Sequence, residues 1–442
     1  MGRKPAHHVS YAKMRPMKDV IRPVKGTKDY YPQDMAVRSW LYRKMRMVSE
    51  SFGYEEYEGP ILESFDLYAA KSGEELVEKQ SYVFEDRGGE RITLRPELTP
   101  TLARMVAQKQ NQLTYPLRWW SFGPFWRYER PQKGRTREFF QWNIDMIGDG
   151  SPEADAELAA IAATFLKQVG LKPQQAKILI NDRRLMESET TKLGISEDMR
   201  PKVYQLIDRH GKMQQDAWER SATEIGLSAK QVDAILTLTQ TKNLWEKSQS
   251  LQAFFEAVDA HGLSDYIQYA PEIIRGLDYY TGTVMEAWAT SGEFRAIFGG
   301  GRYDNLVSAV GGQAVTAVGF AVGNMVIGLL LEKLGLLPNT DRSVAPVLVT
   351  IFGEEQLLDA IRLSAELRGG GLNVSIFPSP AKLGKQFKYA DRIGARFAIV
   401  LGPDEIAKQE ITIKDLSSGD QTSINRVLAA DHLQKLLEGT IP

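Results

Sequence analysis

The sequence predicts a mixed α/β (α+β) protein: an antiparallel-sheet domain interrupted by a helical insertion, then a smaller α/β domain. Three observations predict it. Two long aromatic strands, 117–128 and 139–147, flank a polar loop at 129–138, the period-two pattern of a hairpin. Residues 183–262 run as amphipathic helices joined by polar turns such as those at Gly194 and Gly226. Beyond a linker at 334–343 that contains Pro338 and Asn339, strand and helix patterns alternate.

The elements follow in order. Residues 24–32 are rich in turn formers and open a helix over about 32–52, with Val37, Leu41, Met45 and Val48 at helical spacing. Gly53 ends it, and 55–60 reads as a strand. Segments 81–86 and 91–94 alternate around Gly88-Gly89, a hairpin. It leads into Arg95-Pro96-Glu97-Leu98-Thr99-Pro100 and a helix over about 101–110. After the long hairpin, Ala154, Leu158, Ile161 and Phe165 mark a helix over 151–171, and 172–182 reads as a strand. Residues 315–331 begin as a strand and continue as an apolar helix. In the last domain, strands fall at 346–352, 373–377, 396–401, 410–414 and 421–424, with helices near 354–368, 381–393 and 427–438. That alternation predicts a mostly parallel sheet.

Composition excludes several function classes. A chain of 442 residues has room for two or three domains with buried cores. Its formal net charge is −1, so any nucleic-acid binding must rest on local basic patches. It contains no cysteine, which removes disulfides, thiolate nucleophiles and cysteine zinc sites; five histidines argue against a histidine-rich metal site. No apolar run reaches membrane-spanning length and no signal peptide is visible, the pattern of a cytoplasmic protein. Residues 1–25 are basic, with Asp19 the one acid. They read as a flexible tail over 1–22; an RNA-touching arm and a transit peptide are weaker alternatives.

Chemistry concentrates in two places. The long hairpin holds Arg127 on a strand and Glu129, Arg130, Gln132, Lys133, Arg135 and Arg137 in its loop. Guanidinium groups offer forked, permanently charged donors that match phosphate oxygens. Glu97 and Asp145, on neighbouring segments, could hold a cationic group. A solvated hairpin tip is the plainer alternative. The second place pairs Ile274-Arg275-Gly276-Leu277-Asp278-Tyr279-Tyr280-Thr281-Gly282-Thr283-Val284-Met285-Glu286 with Phe298-Gly299-Gly300-Gly301-Arg302-Tyr303-Asp304. Its glycines permit close backbone approach.

Thr93-Leu94-Arg95-Pro96-Glu97 followed by Phe125-Trp126-Arg127-Tyr128-Glu129-Arg130-Pro131-Gln132-Lys133-Gly134-Arg135 resembles motif 2 of class II aminoacyl-tRNA synthetases, in detail that of histidyl-tRNA synthetases. The two glycine-containing segments resemble the histidine-specific signatures of the same family. The 32–60 helix and strand resemble motif 1, which in that family builds a dimer interface. The helical stretch occupies the place of the family's variable insertion, either a spacer or a grip on the tRNA acceptor arm. The last domain resembles an anticodon-binding domain, in which Lys382, Lys385, Lys388 and Arg392 share one helix face. One run departs from the pattern: after Gly319-Phe320-Ala321-Val322-Gly323 the chain has Asn324-Met325-Val326, where class II enzymes place a Glu-Arg pair whose arginine clamps the ATP phosphate tail.

The resemblance implies a class II antiparallel-sheet catalytic domain over 23–170 and 263–335, a helical insertion over 171–262, and an α/β anticodon-binding domain over 344–442. It implies a ligase that activates histidine with ATP, as its Mg²⁺ complex, to histidyl-adenylate and transfers it to tRNA(His). It also implies a cytoplasmic homodimer without a structural metal. Arg127 and Arg275 would act at the α-phosphate, with Glu129 and Arg135 also on the nucleotide. Glu97, Thr99 and Gln141 would hold the histidine ammonium, and Asp145, Tyr279 and Tyr280 its imidazole. Gln132, Arg137, Lys382 and Lys385 would touch tRNA. Two other classes compete: a catalytically inactive regulatory subunit of ATP phosphoribosyltransferase, favoured slightly by the missing arginine, and an RNA-binding scaffold, for which the carboxylates and tyrosines have no use.

Overall fold

The two aromatic strands form the predicted hairpin. Leu117–Trp126 pairs antiparallel with Glu138–Ile147, in register from Leu117 opposite Ile147 to Trp126 opposite Glu138. The computed structural model describes residues 20–69, 80–132, 134–210, 213–274, 279–339 and 343–438. Most of the basic tail, Lys133 and Arg275 therefore lie outside the described residues. The chain divides into two units, Met1–Leu337 and Pro338–Pro442.

The strands of the first unit are β1 (Glu55–Glu56), β2 (Leu62–Ser64), β3 (Tyr82–Glu85), β4 (Arg91–Leu94), β5 (Leu117–Trp126), β6 (Glu138–Ile147), β7 (Ala176–Asp182), β8 (Ile267–Tyr269), β9 (Thr283–Ala289), β10 (Phe298–Arg302) and β11 (Ala317–Gly323). β2, β4 and β3 form a small sheet in that order. The other eight form a central sheet in the order β1-β5-β6-β11-β10-β9-β7-β8, antiparallel except where β1 meets β5 and β7 meets β8. Two expectations change here. The strand over 55–60 shrinks to β1, because the Gly59 carbonyl accepts from the Arg95 guanidinium at 3.0 Å and Pro60 has no N–H to give. The helical insertion cannot begin at 171, because β7 pairs with β9 from Ala176–Ala289 to Asp182–Thr283 inside the central sheet. The helices begin at Arg183.

Under this sheet lies the helix Pro152–Gln168. The Ser151 hydroxyl caps it by accepting from the Ala154 N–H at 3.2 Å, proline opens its first turn, and Gly170 follows its end at φ +87°. Ala156, Leu158, Ile161, Ala163, Phe165 and Leu166 are buried, on more than one face, so the helix is a core element with no solvent stripe. Trp142, from the underside of β6, packs against Phe165 with ring centroids 5.1 Å apart. Each such large apolar side chain contributes about 1.5–3 kcal/mol when fully buried. The insertion helices join the same core: Trp218 is buried and its indole N–H donates to the Leu206 carbonyl at 2.7 Å.

Arg302, the arginine of the glycine-rich run, turns out to be structural. It is 2% exposed and bonds Asp155, 1% exposed, at 2.7 Å, which ties β10 to the core helix. The Thr283 hydroxyl also donates to Asp155 at 2.6 Å, and Arg302 reaches the Asp149 carbonyl at 3.0 Å. A buried pair loses most when one partner goes, because the other charge stays behind unpaired. Arg302→Met is expected to lower unfolding free energy by about 3–5 kcal/mol. Urea titration of the full chain reads this, and a loss below about 1 kcal/mol, the scale of a surface pair, would contradict it.

The second unit contains β12 (Val347–Val349), β13 (Val374–Ile376), β14 (Phe397–Val400), β15 (Glu410–Asp415) and β16 (Gln421–Asn425), in the order β13-β12-β14-β15-β16. Only the first three are parallel, so the predicted mostly parallel sheet is in fact mixed. The reason is connection length. Parallel neighbours need a crossover of a dozen residues or more, whereas the 416–420 turn between β15 and β16 allows only a hairpin. The helix Leu383–Arg392 packs its buried Gln386 and Ala390 inward and leaves Lys385, Lys388 and Arg392 exposed. Lys382, immediately before it, is exposed as well.

Candidate active site

The central sheet opens a cleft of about 1230 Å³ above β6 and β11. Along β6, Gln141, Asn143 and Asp145 face it while Trp142, Ile144 and Met146 face the core, as strand alternation requires. The neighbours across the ladder are mostly small. Gln141 lies between Gly123 and Gly323, Asn143 between Ser121 and Ala321, and Asp145 between Trp119 and Gly319. The absence of bulk there leaves floor space for a ligand. Two glycines are sterically required: a Cβ at Gly319 would sit 2.0 Å from Asp145 Oδ1, and one at Gly123 would sit 2.3 Å from the Arg95 guanidinium.

Arg95 is fully buried and covers Gly123 on the same face of β5. Its Nε donates to the Pro124 carbonyl at 3.0 Å and its guanidinium pairs with Glu58 at 2.5 Å, so it braces β5. One strand-step beyond Phe125, Arg127 turns into the cleft. Its Nε donates to the Pro96 carbonyl at 2.9 Å, and its guanidinium carbon lies 5.3 Å from the centroid of Phe139. The two terminal nitrogens make no hydrogen bond with a described residue, so a fork of N–H donors faces the ligand space. In the hairpin loop, Arg135 pairs with the buried carboxylate of Glu129, and the backbones of Gln132 and Arg135 bond each other at 3.0 and 2.8 Å. Gly134, at φ +77°, makes that tight turn possible.

The far wall carries the aromatic cluster. Tyr279 and Tyr280 lie with ring centroids 4.8 Å apart, and Tyr279 meets Tyr303 edge-on at 6.3 Å. The Tyr303 hydroxyl donates to Asp145 Oδ1 at 2.5 Å. Burial pushes the Asp145 carboxyl up to about 7, against the opposing pull of the Tyr303 hydrogen bond. Tyr303 is itself pushed well above the usual phenol range by burial and by the adjacent Asp145. Asp145 is thus an acid tuned to titrate near neutrality on the cleft floor.

Nine of the residues singled out from the sequence line this one cleft: Glu97, Thr99, Arg127, Glu129, Arg135, Gln141, Asp145, Tyr279 and Tyr280. Arg275 lies outside the described residues. Gln132 and Arg137 are not on the cleft wall; Arg137 donates to the Glu129 carbonyl at 3.1 Å and lies 4.2 Å over the Tyr128 ring. Lys382 and Lys385 belong to the second unit. Sequence reasoning missed Asn143, Trp288, Arg295 and Gln205, and gave no role to Tyr303 or Glu286 within the runs it singled out, though all six line the cleft. Asn143 could have been found by stepping two residues from Gln141 and Asp145 along the strand. Gln205 could not, since it comes from the helix Arg200–Arg209 of the insertion.

Residues 26–326 match the family described as histidyl-tRNA synthetase, and residues 346–436 match the family described as anticodon binding domain. The chain is 38% identical to a histidine–tRNA ligase of Opitutus terrae, over 92% of this chain and 96% of that one. It is 36% identical to the corresponding ligase of Leptospira biflexa, over 96% and 99%. A crystal structure of histidyl-tRNA synthetase from Nostoc sp. PCC 7120 superposes with a TM-score of 0.81 at 27% identity, covering 94% of this chain and 99% of the other.

Proposed function

The chain belongs to the histidyl-tRNA synthetase family and is a histidine–tRNA ligase, and from that premise we propose how the cleft divides the reaction. The observation that carries the assignment is the meeting of nine sequence-selected residues in one cleft. Histidine and ATP bind side by side. A carboxylate oxygen of histidine attacks the α-phosphorus, the bond to the bridging oxygen breaks, and pyrophosphate leaves. A ribose hydroxyl at the 3′ end of tRNA then attacks the carbonyl carbon and AMP departs. The protein's task is to align reactants and to stabilise charge that builds on the phosphoryl oxygens.

In this reading Arg127 bridges the histidine carboxylate and the α-phosphate, and Arg275 approaches the same phosphate. Arg135, oriented by Glu129, meets the nucleotide's outer phosphates. Glu97, Thr99 and Gln141 take the α-ammonium. Asp145 and Tyr280 bond the imidazole nitrogens, with Tyr279 as the adjoining wall. Magnesium enters with the nucleotide and neutralises part of its charge. Gln132 and Arg137 in the hairpin loop, and Lys382 and Lys385 in the second unit, contact tRNA through its backbone. Among the described residues no helix is long and apolar enough to cross a membrane; a cytoplasmic homodimer, paired through the helix Pro32–Ser51 and β1, fits the same reading.

Histidine-dependent ATP–pyrophosphate exchange, with and without tRNA, tests the proposal. Exchange with histidine alone among the amino acids is the expected result. Histidine binding without exchange would instead place the chain with regulatory relatives, the role that the run Asn324-Met325-Val326 favours.

A further inference from the structure

The helix Asn324–Lys333 brings no cation to the cleft. Asn324 is buried, and its Oδ1 accepts from the Phe140 N–H at 3.1 Å. Met325 and Val326 line the cleft as apolar side chains, and Val326 lies against the hairpin loop, 3.6 Å from where a Cβ on Gly134 would be. This end of the cleft, beside Arg135, is where the outer phosphates are assigned above. Among the described residues the hairpin loop offers this end Arg135, itself paired to Glu129, and a triphosphate held by that arginine is poorly compensated.

A second cation reaches the same end from another element. Phe298 of β10 pairs with Val322 of β11, and Gly299 with Ala321. The chain before Phe298 therefore leaves the sheet at the edge where β11 gives way to the helix Asn324–Lys333, and Arg295 lines the cleft together with Met325 and Val326. The connection between β9 and β10 that bears Arg295 is tied to the same helix. Glu293 pairs with Lys333, and Lys333 also lies 5.8 Å from the Phe294 ring centroid. The Glu293 charge is thereby offset next to Arg295. The Arg295 side chain is exposed on the cleft wall, and no described residue hydrogen-bonds or ion-pairs with it. An arginine satisfied elsewhere would have to break bonds to serve a ligand; this one does not.

We propose that Arg295 binds the β- and γ-phosphates of ATP, facing Arg135 across the cleft and supplying the positive charge that Met325 and Val326 do not. The assignment rests on the ligase reading above and deepens it. A planar fork of donors suits two phosphate oxygens at once, which a lysine at the same position would match only as a point charge.

The test compares full-length Arg295→Met, Arg295→Lys and the double variant Arg295→Met/Val326→Arg with the parent. KM for ATP and for pyrophosphate come from histidine-dependent exchange, and Kd for ATP, AMP and histidine from calorimetry. For Arg295→Met, KM for ATP and pyrophosphate and Kd for ATP are expected to rise about tenfold or more. Affinities for AMP and histidine should stay within about twofold. Val326→Arg in the same chain should recover much of the loss, since it restores a guanidinium at the facing position. Unchanged values for ATP and pyrophosphate would overturn the proposal. So would an equal loss of AMP affinity, which would move Arg295 to the adenosine. A parent that shows no exchange would sink the ligase reading instead, and the ATP-against-AMP comparison would still decide the role of Arg295.

Discussion

Arg127→Met is expected to lower histidine-dependent ATP–pyrophosphate exchange by about 10²–10³-fold, the scale seen when one preorganised donor to a developing oxyanion is removed. The geometry gives the reason. Nε is spent on the Pro96 carbonyl and the Phe139 ring lies beside the guanidinium, so the side chain is aimed before any substrate arrives. Nothing has to reorganise as charge builds on the phosphoryl oxygens, which is where an electrostatic donor gains most. Because Arg127 is assigned to both the histidine carboxylate and the α-phosphate, kcat should fall along with kcat/KM. Arg127→Lys keeps the charge but loses the fork and the bond to Pro96, so it should recover only a minor part of the loss. The fold should persist in both variants, since Arg127 sits beyond the end of β5 and its loss leaves the ladder intact. Melting curves matched to the parent would confirm that, and exchange within about threefold of the parent in Arg127→Met would rule out the assigned role.

The chemistry was more legible in the sequence than the frame that holds it. Local signals sufficed for the hairpin, because alternation and a polar loop specify a hairpin without help from distant residues. Glu97, Arg127 and Asp145 were legible because each sits in a dense, unusual run of residue types. What escaped depends on which strands become neighbours. Arg302 belongs to a run that reads as functional, yet it is buried against Asp155, 147 residues away in sequence, and no local pattern reveals that pairing. The segment at 172–182 reads as a strand along the chain, and only its ladder with β9 shows that it belongs to the central sheet. Arg295 escaped for the same reason: it lines the cleft from the connection between β9 and β10, and that connection reaches the cleft only because β10 pairs beside β11. The small residues at 121 and 123 look unremarkable along the chain, and with those at 319, 321 and 323 they flank β6 only once β5 and β11 pair with it.

Asp145→Asn is expected to trade function for stability, with a pH dependence that identifies the cause. With its carboxyl pushed up to about 7, the folded protein holds a proton that the unfolded chain, titrating near about 4, has already released. Between those two values the native state binds more protons, so the contribution of this group to stability falls as pH rises through the window. At pH 8 the parent carries the whole cost of a buried charge; near pH 4 it carries almost none. Asparagine avoids that cost and still accepts from the Tyr303 hydroxyl. Asp145→Asn should therefore melt above the parent at pH 8, with the advantage shrinking toward pH 4. The same substitution removes the charged acceptor assigned to the imidazole N–H. A hydrogen bond to a charged group is worth about 1.5–3 kcal/mol, so kcat/KM for histidine should fall about 10–10²-fold. The parent should also lose histidine affinity as pH drops below about 7, where Asp145 takes up its proton. Histidine's own imidazole titrates nearby, so the affinity profile alone would be ambiguous; melting of the ligand-free protein separates the two groups. A melting difference between variant and parent that does not change with pH would mean that Asp145 is not the neutral-range acid of the cleft floor. Loss of histidine activation alongside a pH-dependent gain in stability would instead show one buried carboxylate kept at a cost to the fold because it reads the substrate.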